Sequence, residues 1–254
     1  SIRMIRYLTV GASTIVWFIC FLAAKFLLPA IFPPYRKWDD QKKYQACGLI
    51  PSSAFVLSAV PLSIWILNND DRIVDVRING QTEWSMFLVS MATGYFVYDT
   101  LIIFIHLKYE GVSMLVHGIL CLVTYGIAVV FDVYNGYGPV FLMYEASTIF
   151  VNIRWFLVEL GYKTSTAYDV NGIILTIVFG VVRLGYGLYM SYLFWIGTIN
   201  GASDGSLPLL IALWYGTSNL CLNGLNIFWY YKILIGAVKA YFRRMNASAD
   251  PKDR

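Results

Sequence analysis

Seven apolar runs divide this chain, at about residues 7–32, 47–67, 84–106, 112–132, 139–160, 168–198 and 207–236. Each reaches the ~20 mostly apolar residues that cross the hydrocarbon core of a bilayer as a helix. The connectors are polar: "PPYRKWDDQKKYQ", "NNDDRIVDVRINGQTE", "KYEG", "DVYNGYG", "GYKTSTAYD" and "NGASDGS". Their Pro, Gly, Asn and Asp residues turn or break helices. Backbone within lipid must satisfy its own hydrogen bonds, so runs of this length become helices. The fold class expected is all-α, a polytopic membrane protein with seven transmembrane helices. Composition agrees: 58% of the 254 residues are hydrophobic and 13% charged, against roughly half and a quarter in a soluble domain. The first run reads as a true span, because no small-residue cleavage site interrupts its end. The length of the sixth implies tilt or extension past the membrane.

Seven spans put the two termini on opposite sides. The C-terminal side carries Arg36, Lys37, Lys42, Lys43, Lys108, Lys163, Lys232, Lys239, Arg243, Arg244, Lys252 and Arg254. The other side carries Arg3, Arg6, Arg72 and Arg77. This bias predicts a cytosolic C-terminus and a lumenal or external N-terminus. The glycosylation tripeptide Asn246-Ala-Ser248 then lies on the wrong side to be used. Lys252, third from the end, is half of a dilysine-type retrieval signal. The net charge of +4 sits where topology puts it and forms no basic stripe, so no nucleic-acid partner is expected. Cys20, Cys47, Cys121 and Cys221 stand singly in apolar runs, without metal spacing or a disulfide framework. Neither a metal nor a resident cofactor is indicated.

Charges inside a span cost several kcal/mol unless paired, snorkelled or wet. Lys25 lies near the cytosolic end of its span and can snorkel. Asp99 and His117 lie at matching depths on the third and fourth spans, about two turns from the short connector that joins them. A carboxylate and an imidazole can meet there, either as a catalytic pair or as a buried hydrogen bond that fixes packing. The fifth run, "GPVFLMYEASTIFVNIRWFLVELG", is the most polar. At 100° per residue, Glu145, Thr148, Asn152 and Glu159 share one face, with Arg154 nearly opposite Glu145. Such a helix belongs inside a bundle, with one face on a cavity. Arg183 is deeper, with Asp99 or Glu145 as its partner or a lipid phosphate as its ligand. Tyr95, Tyr98, Trp155, Tyr186 and Trp229 are candidate channel aromatics or interfacial anchors.

Several segments in order resemble the TLC-domain family, which includes the ceramide synthases. They are "GYFVYD" (94–99), "LVHGIL" (115–120), "YEASTIFVNIRWFL" (144–157), the Arg183 helix and "LNGLNIFWYYKIL" (222–234). The resemblance implies a six-helix bundle (residues 47–240) around a lipid-sized cavity. One extra helix and its cytosolic connector (1–46) precede it, and a cytosolic tail (241–254) follows. It also implies residence in the endoplasmic reticulum or another endomembrane, and work on sphingolipids or phospholipids. In ceramide synthases, paired histidines and nearby aspartates here serve acyl transfer from acyl-CoA. This chain departs from them: Val116 and Gly118 flank His117, Asp99 matches the helix-three aspartate, and Asp132 is a loop-edge candidate for a second acid. It most resembles the short TLC proteins without an assigned reaction, including a fungal-looking subgroup with His-Gly at this spot.

Three functions follow as expectations. The first is binding, sensing or transport of a membrane lipid, with Glu145, Thr148, Asn152, Arg154, Arg183 and Trp229 lining its pocket. The second is an acyltransferase that uses acyl-CoA as co-substrate, with His117 as base, Asp99 orienting it, and Arg154 or Arg183 holding a phosphate or CoA group. The third is an assembly role with membrane-protein partners. For the orientation, a C-terminal epitope tag should be digested by protease added outside intact microsomes, and an N-terminal one protected. The reverse pattern would refute the charge-based topology.

Overall fold

The computed structural model describes residues 2–69 and 80–249. Arg72, Arg77, Lys252 and Arg254, counted above, lie outside the described residues, as do the side chains of Arg243, Arg244 and Asn246. Among the described residues the regular structure is all helical, with no strand. The long helices are α1 (Ile2–Ile31), α2 (Asp40–Asn69), α3 (Glu83–Ile105), α4 (Val112–Phe131), α5 (Tyr137–Glu159), α6 (Thr166–Ser203) and α7 (Leu209–Ala249). Six of them, α1 to α6, are long and apolar enough to cross a membrane. The seventh expected span is present as helix α7 but is not one of these six. Asn219, Asn223 and Asn226 dilute its apolar run.

Contacts between helices close a circuit. α2 packs on α3, α3 on α4, α4 on α7, α7 on α6, α6 on α5, and α5 back on α2. α1 stands outside this ring, against α2 and α3. Burial follows from that plan. Of the most apolar stretch of each helix, 67% is buried in α3 and 17% in α1. Leu8, Ile15, Ile19 and Phe26 of α1 are exposed, as lipid-facing residues are.

The α1–α3 seam depends on small residues. Ser13 donates to the Met91 carbonyl at 2.7 Å, and Thr14 to the Gly94 carbonyl at 3.1 Å. A Cβ on Gly94 would sit 2.5 Å from the Val10 carbonyl oxygen, so only glycine permits this approach. At the end of the bundle that holds the N-terminus, Arg6 forms an ion pair with Asp132, and Arg3 approaches it at 3.6 Å. Arg6 also donates to Met86 Sδ at 2.7 Å. Asp132 caps α4 with left-handed backbone (φ 61°), so α1 is tied to the α4–α5 connector.

Two helices depart from α geometry at mid-length, opposite one another. α5 winds as a 3-10 helix over Met143–Ser147, and α6 as a π-helix over Gly180–Tyr186. Such windings inside longer helices mark sites where backbone groups are re-partnered.

Gly94→Ala should lower the thermal midpoint in detergent, through overpacking that costs on the order of 1–3 kcal/mol. Gly11→Ala is the control. Its Cβ meets nothing within 4 Å, so it should be neutral or gain up to about 1 kcal/mol from helix propensity. Equal midpoints for Gly94→Ala and the parent protein would refute the close-approach account.

Candidate functional site: an intramembrane cavity

The π-segment turns Arg183 into the ring, where it is 5% exposed. Its guanidinium is met on almost every side. Nε donates to the Tyr144 carbonyl at 3.1 Å and to Ser147 Oγ at 3.0 Å. Nη1 donates to Asn226 Oδ1 at 2.9 Å, and Nη2 to Thr148 Oγ1 at 3.3 Å. Nη2 also lies 3.8 Å from Glu145 Oε1, and Glu145 Oε2 accepts from the Thr148 hydroxyl at 2.8 Å. The 3-10 segment supplies the Tyr144 carbonyl. α5, α6 and α7 are thus joined through one buried cation.

Two cavities meet at this network. The larger, about 850 Å³, runs from His117 toward the end where Glu110, Asp169 and Lys232 stand. The smaller, about 80 Å³, runs the other way, toward Tyr134, Tyr137 and Tyr215. Phe96, His117, Glu145 and Arg183 line both and so form the neck between them.

The expected catalytic pair, Asp99 and His117, and all six expected lipid-pocket residues, Glu145, Thr148, Asn152, Arg154, Arg183 and Trp229, line the larger cavity. Their partnerships differ from the expected ones in detail. His117 and Asp99 share the cavity, yet no hydrogen bond joins them among the described residues. The His117 ring nitrogens lie 3.7 and 3.9 Å from Cys121 Sγ, and Trp229 meets the ring edge-on at 5.4 Å. Glu145 and Arg183 share the neck with His117. Of the two partners weighed for Arg183, the structure brings it to Glu145. Asn152 donates to Ser52 and Ser53 of α2 at 3.0 and 2.9 Å, and Glu159 pairs with Lys42 at 2.7 Å. Arg154 lies over the Tyr168 ring of α6 at 4.2 Å. The helical wheel sets it nearly opposite Glu145. Both reach the cavity because it extends along both flanks of α5, toward α2 and toward α6.

Gly118 explains the lone histidine. A Cβ there would sit 2.9 Å from Thr100 Oγ1, so α4 meets α3 at this point with no room for a ring. Val116 is 40% exposed and faces out of the ring. Asp132 joins neither cavity, because Arg3 and Arg6 hold it at the far end. Tyr95, Tyr98, Trp155 and Trp229 line the larger cavity, whereas Tyr186 packs in the aromatic cluster around Phe194. His106, the other histidine, stacks on Tyr44 at 3.8 Å. At the α3–α4 connector, burial pushes the Glu110 carboxyl above its ordinary range.

Sequence reasoning missed the asparagine ladder of α7. Asn219 and Asn223 each donate to Ser191 Oγ at 3.0 Å, and Asn226 takes Arg183. Its signal was the spacing: Asn219, Asn223 and Asn226 follow the i, i+4, i+7 pattern of one helix face.

The sequence profile of the TLC domain matches residues 48–235, which are the six helices of the ring. The chain belongs to the TLC-domain family. It is similar to a TLC domain-containing protein of Schizosaccharomyces pombe, 32% identical over 58% of this chain and 50% of that one. TLC domain-containing protein 4-B of Danio rerio is 31% identical over 86% of this chain and 83% of its own length. The human TLC domain-containing protein 4 is 32% identical over 82% and 80%. The chain thus spans about half the length of the yeast relative. The profile leaves α1 outside the TLC domain, as the ring does.

Arg183→Ala strands Glu145 and Asn226 in the neck. It should destabilise the fold by roughly 3–5 kcal/mol, the usual cost of breaking a buried ion pair from one side. Arg183→Lys should restore little, because one ammonium cannot reach acceptors spread over both α5 and α7. Thermal unfolding in detergent reads both, and a Lys variant as stable as the parent would refute the network's role.

Proposed function

We propose that this TLC-domain protein holds a membrane lipid inside its six-helix ring, and binds, senses or moves it to adjust membrane lipid composition. One observation carries the reading: the cavity of about 850 Å³, with mostly apolar walls and a buried polar neck. Its size falls within the ~300–1,000 Å³ of small-molecule sites, where apolar walls give affinity and a few polar groups fix orientation. An acyl chain suits the walls of Phe96, Ile103, Leu175 and Ile233. The resemblance to ceramide synthases supports an endomembrane residence. The basic connectors support a cytosolic mouth and tail.

The acyltransferase reading asks for a histidine oriented by a carboxylate. Asp99 stands on the same cavity wall without bonding His117, so lipid holding is the better supported of the two. An assembly role needs no cavity of this size.

Gly48 provides the test. It lines the cavity from α2, and a Cβ there meets nothing within 4 Å. Gly48→Phe should obstruct the cavity, and native mass spectrometry should find the lipid that accompanies the parent protein lost from the variant. Gly48→Ala should retain it. Undiminished lipid in the folded Phe variant would overturn the proposal. So would turnover of labelled acyl-CoA with sphingoid bases or lysophospholipids that disappears in His117→Ala.

A further inference from the structure

Two arginines line the cavity, and they are in opposite states. Every nitrogen of Arg183 is engaged by protein acceptors. Arg154 has its face on Tyr168, but among the described residues no acceptor and no carboxylate meets its N–H edge. Room is kept around it. A Cβ on Gly172 of α6 would sit 3.0 Å from Nη1, and one on Gly236 of α7 lies 3.8 Å from Nη2. One turn before Gly236, Lys232 also lines the cavity. Its ammonium rests over Phe228 at 4.2 Å, and it too has no carboxylate partner among the described residues.

The depth is that of a headgroup. Arg154 lies five residues from the end of α5, about 8 Å along the axis. Trp155 and Tyr168 stand beside it, the residue types that gather at the membrane interface. Of the other acids on the cavity, Glu110 and Asp99 come from the α3–α4 side of the ring, and Asp169 stands at the start of α6 with an interaction of its own.

We infer that Arg154 and Lys232 form a seat for the phosphate of an acylated amphiphile, whose chain runs up the cavity toward His117. The inference rests on the lipid-holding reading and adds the headgroup class. A guanidinium fork grips two oxygens of a phosphate side by side, and a point ammonium takes a third. A neutral glycerolipid would leave both cations without a counter-charge. A carboxylate brings two oxygens and one charge to the two cations, whereas a phosphate monoester brings a third oxygen and up to two charges.

The test uses native mass spectrometry of the full chain with four palmitoyl probes: phosphatidic acid, palmitoyl-CoA, diacylglycerol and palmitate. The phosphate-bearing probes should bind about tenfold or more tightly than the other two. Arg154→Gln should erase that preference, Lys232→Gln should reduce it, and Arg154→Lys should fall between. Diacylglycerol affinity should stay constant throughout. Phosphatidic acid as the tightest Arg154-dependent ligand would assign the phosphate to a membrane phospholipid, and palmitoyl-CoA would assign it to a thioester. Either supports the seat. Equal binding of diacylglycerol or palmitate, or a phosphate preference that survives Arg154→Gln in folded protein, would overturn the seat while leaving lipid holding intact. Failure of all four probes to bind would remove both.

Discussion

A single buried cation organises the interior of this protein. Arg183 sits in the lipid-spanning part of the ring, where a lone charge is costly, so its surroundings must supply acceptors from several directions. They do so by giving up regular helix. Arg183 lies in the π-wound segment of α6 and donates to the Tyr144 carbonyl in the 3-10 segment of α5. Asn226 completes the set from α7, and Glu145 lies close enough to balance the charge. Three helices are thereby held at fixed distances around a space they do not fill. The cavity and its neck are a consequence of satisfying that cation.

The rest of the ring is closed by small residues rather than by charge. Gly118 brings α4 against Thr100, and Gly187 seats the Tyr144 ring, whose hydroxyl would lie 2.5 Å from an added Cβ. Lipid offers little hydrophobic drive for helix association, so close approach and interhelical hydrogen bonds do this work. α1 repeats the device from outside through Gly94, Ser13 and Thr14. Its Arg6–Asp132 pair then ties it to a connector of the ring at the end away from the large cavity. The large cavity is left to the opposite end, where Arg154 and Lys232 have no carboxylate partner among the described residues.

Much of the site was legible because polarity in an apolar run is rare and therefore informative. Asp99, His117, Glu145 and Arg183 each stood out against their spans, and each lines the cavity. Partnership was less legible. Matching depth on neighbouring helices brought Asp99 and His117 to one wall, but ring rotation turned His117 toward Cys121 and Trp229. A regular wheel for α5 took no account of the 3-10 turns at its centre. It also could not register that the cavity wraps both flanks of the helix. Asn219, Asn223 and Asn226 were visible as a helical stripe, yet polar residues in a span otherwise accepted as apolar drew less notice than charges did.

Sequence alone determined the helical class and the approximate limits of the seven long helices, because bilayer thickness and backbone hydrogen bonding leave a long apolar run one option; which six close the ring was implied by the resemblance to the TLC-domain family. It also determined which residues pay a penalty in lipid and so must find partners. Tertiary structure decided which partners they found. Arg183 was saturated by acceptors from α5 and α7, and Arg154, beside two glycines, met none among the described residues, a contrast that no local pattern encodes. It depends on the distance and rotation between helices far apart in the chain, set by where glycine permits contact and where helical winding departs from α.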